Sequence, residues 1–310
     1  MAERRRRRAL LAGAAIVIAV VAAIGVTRLA AGSGVAVPRL PPGIASQTTF
    51  EDGVGALHPQ CAPRTPSKSP RLRGTYRIEH AIVGQGAAAL EITLPVDTDH
   101  TTFPLEACGL ISSYAPIGLG TGGYYGLMVY VPRGWRVPNR AFFGVNIYEL
   151  HFQNIYGAPV TLQLHPHHIT LALETGACEN HVTATPGCAV RSNADAPRGA
   201  TPTLGGYYAI PPGRLVQGRW NELIVHVVWS STAAGRIETV YRIAGARRWR
   251  RGASISGIPT VQWDRTRGCC DPTADDQLEA YTAALSAPLS VWLDNVVDGT
   301  SLAAVEATMP

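Results

Sequence analysis

The residues best suited to chemistry lie near the middle of the chain, in residues 145–153 (VNIYELHFQ). A β-strand points successive side chains to opposite faces, so this run predicts a strand with Glu149, His151 and Gln153 on one face. A strand face that meets only solvent usually carries Lys, Thr or Ser. A carboxylate, an imidazole and an amide in line instead indicate a groove that contacts a polar ligand, and an imidazole also exchanges protons near neutral pH.

A second run, residues 160–165 (VTLQLH), has the same period and places Gln163 and His165 on one face. Asn146, at the start of the first run, adds another amide. Carboxylate, amide and imidazole groups on neighbouring strands are suited to hydrogen-bond sugar hydroxyl groups, so the two runs predict a carbohydrate site. His151 also has a purely structural interpretation, as a half-buried strand residue hydrogen-bonded within its own face.

Short segments with a period of two recur along most of the chain, each bounded by Gly, Pro or Asn. We predict strands at residues 88–94, 125–131, 142–153, 160–165, 168–173, 222–229, 237–243 and 289–297. Residues 165–168 (HPHH) fit the tip of a hairpin better than a metal-binding cluster. Only residues 275–285 have the composition of a helix. The pattern predicts an all-β sandwich or jelly roll, in one domain of about 240 residues.

The N-terminus combines the arginines Arg4 to Arg8 with 18 residues, 9–26, that include no charged or strongly polar side chain. This run is just long enough to span a bilayer, and the basic residues before it hold the N-terminus in the cytoplasm. We predict that residues 1–31 form one hydrophobic helix, either an uncleaved membrane anchor or a cleaved signal peptide. Both alternatives make the remainder extracytoplasmic, with residues 32–70 as a Pro/Ser-rich linker and residues 71–310 as the sandwich domain.

The formal net charge of +5 comes from this N-terminal segment. Residues 1–31 contain six of the 27 basic residues and one of the 22 acidic residues, which leaves 21 of each sign in residues 32–310. A domain without net charge lacks the field that gathers phosphate groups, which argues against nucleic acid as a partner. A local basic patch around Trp249 is interpreted as a solvated turn, with contact to an anionic polymer as the alternative; it consists of Arg247, Arg248, Arg250 and Arg251.

Six cysteines in an exported chain are expected to be mostly oxidised. Cys178 and Cys188 flank a polar, turn-rich loop, so we predict a disulfide between them. Two more disulfides could form, with their pairing left open, among Cys61, Cys108, Cys269 and Cys270. The spacings lack the paired C-x2-C pattern of a zinc site.

Several segments, taken in order, resemble the polysaccharide lyases of the heparin lyase I and glucuronan lyase type. They are residues 86–94 (GAAALEITL), 105–106 (LE), 124–135 (YYGLMVYVPRGW), 149–151 (ELH), 218–230 (GRWNELIVHVVWS) and 293–295 (LDN). The order of the segments over residues 75–305, rather than any single motif, carries the resemblance. It implies a concanavalin A-like jelly-roll β-sandwich and a polysaccharide ligand.

The same resemblance implies roles for particular residues. In this family a Gln-x-His strand lines the concave face of the jelly roll, and a tyrosine from a late strand completes the site. His151 and Tyr281 stand at the histidine and tyrosine positions, so His151 is expected to act as the base and Tyr281 as the acid. Glu149 stands where the family has glutamine, and no arginine precedes Glu106 where the family has an Arg-x-Glu-Leu strand.

β-Elimination from a uronic acid removes the proton at C5, which is acidic only when hydrogen-bond donors or a metal ion neutralise the adjacent carboxylate. A carboxylate at position 149 would repel the substrate unless it is protonated or holds a metal ion. The cofactor requirement is left open, with calcium considered at Asp294. We assign substrate binding to the polar residues of the two runs, Asn146, Glu149, Gln153, Gln163 and His165.

The leading hypothesis is an exported glycan-binding protein that cleaves uronic-acid polysaccharide by β-elimination. The alternative is a non-catalytic carbohydrate-binding or cell-envelope module on the same fold. A hydrolase ranks third, because retaining hydrolysis needs two carboxyl groups about 5–5.5 Å apart and the sequence offers no E-x-D-x-x-E strand to supply them. Polysaccharide is the expected partner, and membrane contact is expected only through residues 1–31 if that segment is uncleaved.

Overall fold

A computed structural model describes residues 40–55, 57–59, 61–63, 74–96, 106–113, 120–137, 144–152, 158–173, 176–178, 207–209, 215–230, 233–258, 260, 262–264, 268–269, 274–282 and 285–310. At some of these positions only the backbone is described, including 151, 178 and 275. The predicted hydrophobic helix at residues 1–31 lies outside the described residues. No helix within the described ranges has the length and apolar character needed to cross a membrane.

The described elements are nearly all strands, followed by one short helix near the end of the chain. In chain order they are β1 (Ile44–Thr48), β2 (His58–Pro59), β3 (Ala62–Pro63), β4 (Thr75–Glu79), β5 (Ala89–Leu94), β6 (Glu106–Ser113), β7 (Gly122–Tyr130), β8 (Val145–Phe152), β9 (Val160–Leu164), β10 (Ile169–Leu173), β11 (Gly176–Cys178), β12 (Tyr207–Ala209), β13 (Trp220–Val228), β14 (Gly235–Ile243), β15 (Arg250–Ile258), β16 (Gln262–Asp264), β17 (Gly268–Cys269), β18 (Ala274–Thr282), β19 (Leu289–Gly299) and α1 (Leu302–Thr308).

Two large sheets form the body of the fold. The nine-stranded sheet has the order β15-β14-β13-β7-β19-β5-β4-β3, with β1 paired to β19. The seven-stranded sheet has the order β12-β10-β9-β8-β18-β6-β2. Neighbours in both sheets are antiparallel except for β3 and β4, and β11, β16 and β17 form a small third sheet. The predicted all-β class is therefore confirmed, and the two antiparallel sheets are consistent with a jelly-roll sandwich.

The core lies between the two large sheets and consists of their inward-facing apolar side chains. Leu127 and Leu223 belong to the nine-stranded sheet, whereas Leu162 and Leu278 belong to the seven-stranded sheet, and all four are buried in one apolar cluster. Complete burial of such a side chain contributes about 1.5–3 kcal/mol. One polar pair is buried on this side as well, since the Tyr148 hydroxyl donates to Asp276 Oδ2 over 2.5 Å.

The nine-stranded sheet is also covered on its outer face, by α1. Val305 and Met309 pack there against Met128 and Ile224. Gly126 permits this close approach, because a Cβ at that position would lie 2.6 Å from the Met309 side chain and 2.7 Å from that of Val305. Burial on two faces explains why the middle strands of this sheet lack a polar alternation.

Residues 275–285 were predicted to be helical, and this prediction is wrong. The segment contributes to β18, which pairs with β6 on one side and β8 on the other. Asp, Gln, Leu, Glu and Ala all favour a helix over a strand, but pairing along both edges outweighs that weak local preference. The side chains of Leu278 and Ala280 are buried in the core, so the segment shows strand periodicity once its position is known.

The other predicted strands correspond to β5, β7, β8, β9, β10, β13, β14 and β19. The hairpin tip at residues 165–168 is confirmed, because the His165 N–H donates to the His168 carbonyl over 2.9 Å. Within the segment predicted as a linker, the structure forms β1, β2 and β3, and the Phe50 side chain is buried in the core. The compact unit accordingly runs from Leu40 to Pro310.

A disulfide joins Cys61 to Cys108 and links the two large sheets. Cys61 immediately precedes β3 of the nine-stranded sheet, and Cys108 lies in β6 of the seven-stranded sheet. This bond resolves one of the pairings that the sequence left open. The predicted Cys178–Cys188 disulfide stays a prediction, because the side chain at 178 and the whole of 188 lie outside the described part of the chain.

The Cys61–Cys108 bond closes a loop with a sequence separation of 47 residues. We expect Cys61→Ala, Cys108→Ala and the double variant each to lower the free energy of unfolding by about 2–4 kcal/mol, because the unfolded chain regains the entropy of the open loop. Denaturant unfolding measures the change, and peptide mapping without reductant identifies the bond. If the loss of unfolding free energy in the double variant equals the sum of the losses in the two single variants, the two cysteines do not share a bond.

Candidate functional site

One face of the seven-stranded sheet, on the side away from the core, gathers most of the predicted site residues. We call this set the polar face; it comprises Asn146 and Glu149 of β8, Gln163 of β9, Thr170 of β10 and Gln277, Glu279 and Tyr281 of β18. Asn146, Gln163 and Thr170 are each more than 90% buried, and Glu279 is 99% buried. The alternate residues of the same strands, such as Leu162 and Leu278, are in the core.

A β-bulge in β8 brings Asn146 and Glu149 to the same face. Asn146 pairs with Gln163 and Tyr148 pairs with Leu162, so β8 has one residue more than β9 between these two pairs. The extra residue is Ile147, which is buried in the core next to Tyr148. A strict period of two would put Asn146 and Glu149 on opposite faces, and the bulge reverses that relation.

Hydrogen bonds run across three strands of the polar face. The Thr170 hydroxyl donates to Gln163 Oε1 over 3.4 Å, Gln163 Nε2 donates to Asn146 Oδ1 over 2.8 Å, and Asn146 Nδ2 donates to Glu149 Oε1 over 2.7 Å. Each amide nitrogen carries two hydrogens, and this chain uses one from each. The second hydrogen of Gln163 has no partner among the described residues, whereas Asn146 also hydrogen-bonds Glu279.

His165 extends the polar face at the tip of the β9–β10 hairpin. Its Nε2 lies 3.0 Å from the Thr170 hydroxyl, and its ring stacks on that of His168 with centroids 4.4 Å apart. Burial and the neighbouring charge of His168 lower the pKa of His165 to about 4. His165 is therefore neutral near pH 7. Because the Thr170 hydroxyl donates its hydrogen to Gln163, the neutral ring donates from Nε2 to Thr170.

Glu279 is a second carboxyl group beside Glu149. Burial raises the pKa of Glu279 well above its usual value, and so do the charge and hydrogen bond of Glu149, whereas the hydrogen bonds of Gln277 and Asn146 oppose the shift. Gln277 Nε2 donates to Glu279 Oε2 over 2.6 Å. Two carboxyl groups in such contact cannot both ionise easily, so Glu279 retains its proton more readily than an exposed glutamate does.

The register places Tyr281 directly opposite Asn146, which joins the predicted acid to the polar face. Position 151 lies in β8 opposite position 275 of β18. The His151 side chain and the whole of Gln153 lie outside the described residues, so their assignment stays a prediction. The structure thus brings together Asn146, Glu149, Gln163, His165 and Tyr281, which the sequence had placed on separate segments.

Sequence reasoning missed Glu279, Gln277 and Thr170. The signal for the first two was present, because residues 275, 277, 279 and 281 are polar at every second position (D, Q, E, Y). That alternation was hidden by the helical composition of the segment. Thr170 carried no distinctive signal, since threonine is common in strands.

The residues considered for metal binding have other partners. Asp294 is fully buried, and its carboxylate accepts hydrogen bonds from the backbone N–H groups of Gly84 (2.9 Å), Gln85 (2.8 Å) and Asn295 (2.7 Å). These contacts identify Asp294 as a structural residue that ties residues 84–85 to β19. Nowhere in the described part of the chain do three or more His, Cys, Asp or Glu side chains form a group that could hold a metal ion.

No protein-family model matches this chain, and no curated protein matches it. Among solved structures, it is similar to the endo-β-1,4-glucuronan lyase of the fungus Trichoderma reesei, with 12% identity and a TM-score of 0.55 over 84% of this chain and 98% of that one. It is also similar to the alginate lyase of the marine Aplysia kurodai, with 10% identity and a TM-score of 0.51 over 83% and 99% of the two chains. At such identities the similarity extends to the fold, which is a lyase-like jelly roll.

The protonated Glu279 makes the stability of the fold depend on pH. Its raised pKa stabilises the folded chain fully below the unfolded pKa of about 4.3, and that contribution is lost as the pH rises through the folded pKa. Glu279→Gln imitates the protonated acid, so we expect this variant to lose less stability than the wild type between pH 4 and pH 9. Denaturant unfolding across that range measures the difference.

The matched control is Glu306→Gln in α1, which removes a carboxyl group away from the polar face. The free energy of unfolding of this variant should depend on pH in the same way as that of the wild type. Parallel pH profiles for the wild type and Glu279→Gln would contradict a retained proton at Glu279.

Proposed function

We propose that this protein binds a polysaccharide along the polar face and cleaves uronic-acid-containing chains there by β-elimination. The observation that carries the proposal is the hydrogen-bonded series from Thr170 through Gln163 and Asn146 to Glu149, with Tyr281 opposite Asn146. The lyase-like fold supports it, since a glucuronan lyase and an alginate lyase are among the solved structures with a similar fold.

In this proposal Asn146 and Gln163 act on the substrate carboxylate. Gln163 has one amide hydrogen without a described partner, and Asn146 would turn a hydrogen from Glu149 or Glu279 towards the substrate. Two such donors withdraw charge from a carboxylate and make the neighbouring C5 proton more acidic. The base at position 151 takes the C5 proton, a C4–C5 double bond forms, and the C4–O bond breaks. The Tyr281 hydroxyl then protonates the departing glycosidic oxygen.

A second candidate function, glycan binding without cleavage, is favoured by Glu149. In this candidate function the two carboxyl groups share one proton, which the raised pKa of Glu279 favours at Glu279, and the negative charge lies on Glu149. A fixed negative charge accepts hydrogen bonds from sugar hydroxyl groups but repels the carboxylate that β-elimination must activate. Removal of this charge should therefore raise the rate of cleavage if the protein is a lyase, and should produce no cleavage if it only binds glycan.

The test is incubation of the full chain with glucuronan and with alginate, followed by the ultraviolet absorbance of unsaturated uronate. We expect His151→Ala and Tyr281→Phe each to lower the rate by about 10²–10⁴-fold, the usual contribution of a positioned acid or base. Glu149→Gln should raise the rate because it removes the repelling charge. Tyr76→Phe in β4, a tyrosine of the other sheet, is the control for Tyr281→Phe.

Two outcomes separate the candidate functions. If the wild type binds these polymers and neither it nor Glu149→Gln produces unsaturated product, the non-catalytic function replaces the lyase. If Gln163→Ala and Tyr281→Phe bind as tightly as the wild type, the polar face is not the glycan site.

We further propose that the sandwich is extracytoplasmic. The support is the arginine cluster followed by 18 residues without a charged or strongly polar side chain, and the neutral composition of residues 32–310. Protease added to intact cells lacking an outer barrier should digest residues 40–310, and the size of the membrane-bound fragment distinguishes an anchor from a cleaved signal peptide. Complete protection of the chain would reject export.

A further inference from the structure

A line of polar side chains crosses the outer face of the nine-stranded sheet. Tyr124 of β7 is opposite His226 of β13, His226 is opposite Glu238 of β14, and Glu238 is opposite Ser254 of β15. We call these four residues the outer row. The rings of Tyr124 and His226 are stacked with centroids 4.2 Å apart, and His226 Nδ1 is 3.3 Å from Glu238 Oε2. The outer row therefore presents an aromatic ring, an imidazole, a carboxylate and a hydroxyl group in sequence.

A cavity of about 140 Å³ lies over the outer row. Ile224, Val240 and Leu302 supply apolar lining, and Arg251 adds a cation at the side. Pockets for drug-sized molecules measure about 300–1,000 Å³, so this one admits a single ring-sized unit. An apolar lining combined with a few hydrogen-bonding groups suits a sugar ring, whose faces are apolar and whose edge carries hydroxyl groups.

Glu238 supplies an ionised acceptor inside this cavity. Partial burial acts to raise its pKa, but the hydrogen bonds of Arg236 and His226 outweigh burial and lower it. The side chain remains 32% exposed, so a ligand can reach it. A carboxylate here accepts hydrogen bonds from the vicinal hydroxyl groups of a sugar and repels a phosphate.

The turn between β14 and β15, together with the first two residues of β15, places exposed cations beside the cavity. The four exposed arginines of this segment, which we call the arginine turn, are Arg247, Arg248, Arg250 and Arg251. None of them forms an ion pair with an acidic residue in the described ranges. Arg242 differs, because it pairs with Glu222 and lies over the Trp249 ring at 4.5 Å, which fixes the base of the turn.

The edge of the nine-stranded sheet formed by β14 and β15 differs in charge from the rest of the domain. Residues 233–258 contain six arginines and one acidic residue, whereas residues 32–310 as a whole carry equal numbers of basic and acidic residues. Unpaired arginines concentrated at one edge of a neutral domain give a local positive field. Such a field attracts an anionic polymer specifically to this edge.

From these contacts we propose that the outer row and the arginine turn form a second glycan site, which holds a uronate-bearing polysaccharide. One sugar unit enters the cavity and donates hydroxyl hydrogens to Glu238, while Ser254 exchanges hydrogen bonds with it. The carboxylates of neighbouring units bind Arg251 and the rest of the arginine turn. The site lies on the opposite sheet from the polar face, so it retains the polymer and takes no part in cleavage.

The geometry favours a glycan over a nucleic acid. Proteins that bind single-stranded nucleic acid stack bases on exposed aromatic rings, whereas here one face of Tyr124 is covered by His226 and one face of Trp249 by Arg242. Glu238 would also repel phosphate groups at the centre of the site. A polyuronate avoids this repulsion, because it alternates carboxylates with hydroxyl-bearing ring edges.

Calorimetric titration with alginate oligosaccharides tests the proposal. Every protein in this titration is the full chain with Gln163→Ala, which reduces binding at the polar face. The titration therefore reports on the second glycan site, and a failure of the polar face as a glycan site does not affect it. In this background we expect Arg250→Ala/Arg251→Ala to weaken binding at least tenfold and to reduce its salt dependence. The charge-matched control, Arg133→Ala/Arg136→Ala in the turn after β7, should change the affinity little.

Glu238→Gln separates sugar recognition from simple charge attraction, because the two predict changes in binding affinity of opposite sign. We expect this variant to weaken binding about tenfold, since a charged hydrogen bond contributes about 1.5–3 kcal/mol. If charge alone holds the polymer, loss of a negative charge should strengthen binding, and that result would overturn the proposal. Ser254→Ala, an exposed position, repeats the test without disturbing Arg236 and His226 and should also weaken binding.

Two further results would count against the second glycan site. Equal binding by the arginine-turn variant and its control would remove the arginine turn from the site. Tighter, turn-dependent binding of a single-stranded oligonucleotide than of alginate would assign this edge to nucleic acid instead. Melting temperatures of all variants, compared with the parent chain, establish that each change acts on a folded protein.

Discussion

Ile147 and Tyr148 are consecutive in β8, yet both are buried in the core, because β8 carries one residue more than β9 at that level. A second irregularity lies between β8 and β18. Leu278 pairs with Tyr148 and Tyr281 pairs with Asn146, so β18 has one residue more than β8 between these two pairs. Bulges change which side chains share a face and increase local twist. Without these two shifts, the amides of β8 and β9 and the carboxyl groups of β8 and β18 could not meet on one surface.

Three of the buried carboxyl groups are accommodated by three different means. Asp294 accepts three backbone N–H groups, Glu222 pairs with Arg242, and Glu279 retains a proton beside Glu149. The partners of Asp294 and Glu222 are hydrogen-bond donors, whereas Glu279 lies beside a second acid. The pair of Glu149 and Glu279 therefore makes the charge of the polar face depend on how many protons the two carboxyl groups share.

Strands with clear alternation, such as β9 and β14, were predictable because one face of each is polar and the other apolar. The sequence also predicted five site residues that the structure brings together, and their role in a site stays a prediction; they are Asn146, Glu149, Gln163, His165 and Tyr281. It could not identify the bulge, since a bulge is defined by the partner strand. Nor could it identify β18 as a strand, because helical propensity is local whereas pairing with β6 and β8 depends on residues far away in the chain. Glu279 was missed for that reason.

The Cys61–Cys108 bond attaches the β3 side of one sheet to the β6 side of the other. At the opposite edge of the nine-stranded sheet, β15 contributes the buried side chains of Ala253, Ile255 and Ile258 to the core, and the described disulfide does not reach it. A covalent cross-link resists separation of two sheets most where it lies, and its effect declines with distance across each sheet. The margin formed by β15 is therefore expected to be more compliant than the margin formed by β3, and this compliant margin carries Arg250 and Arg251.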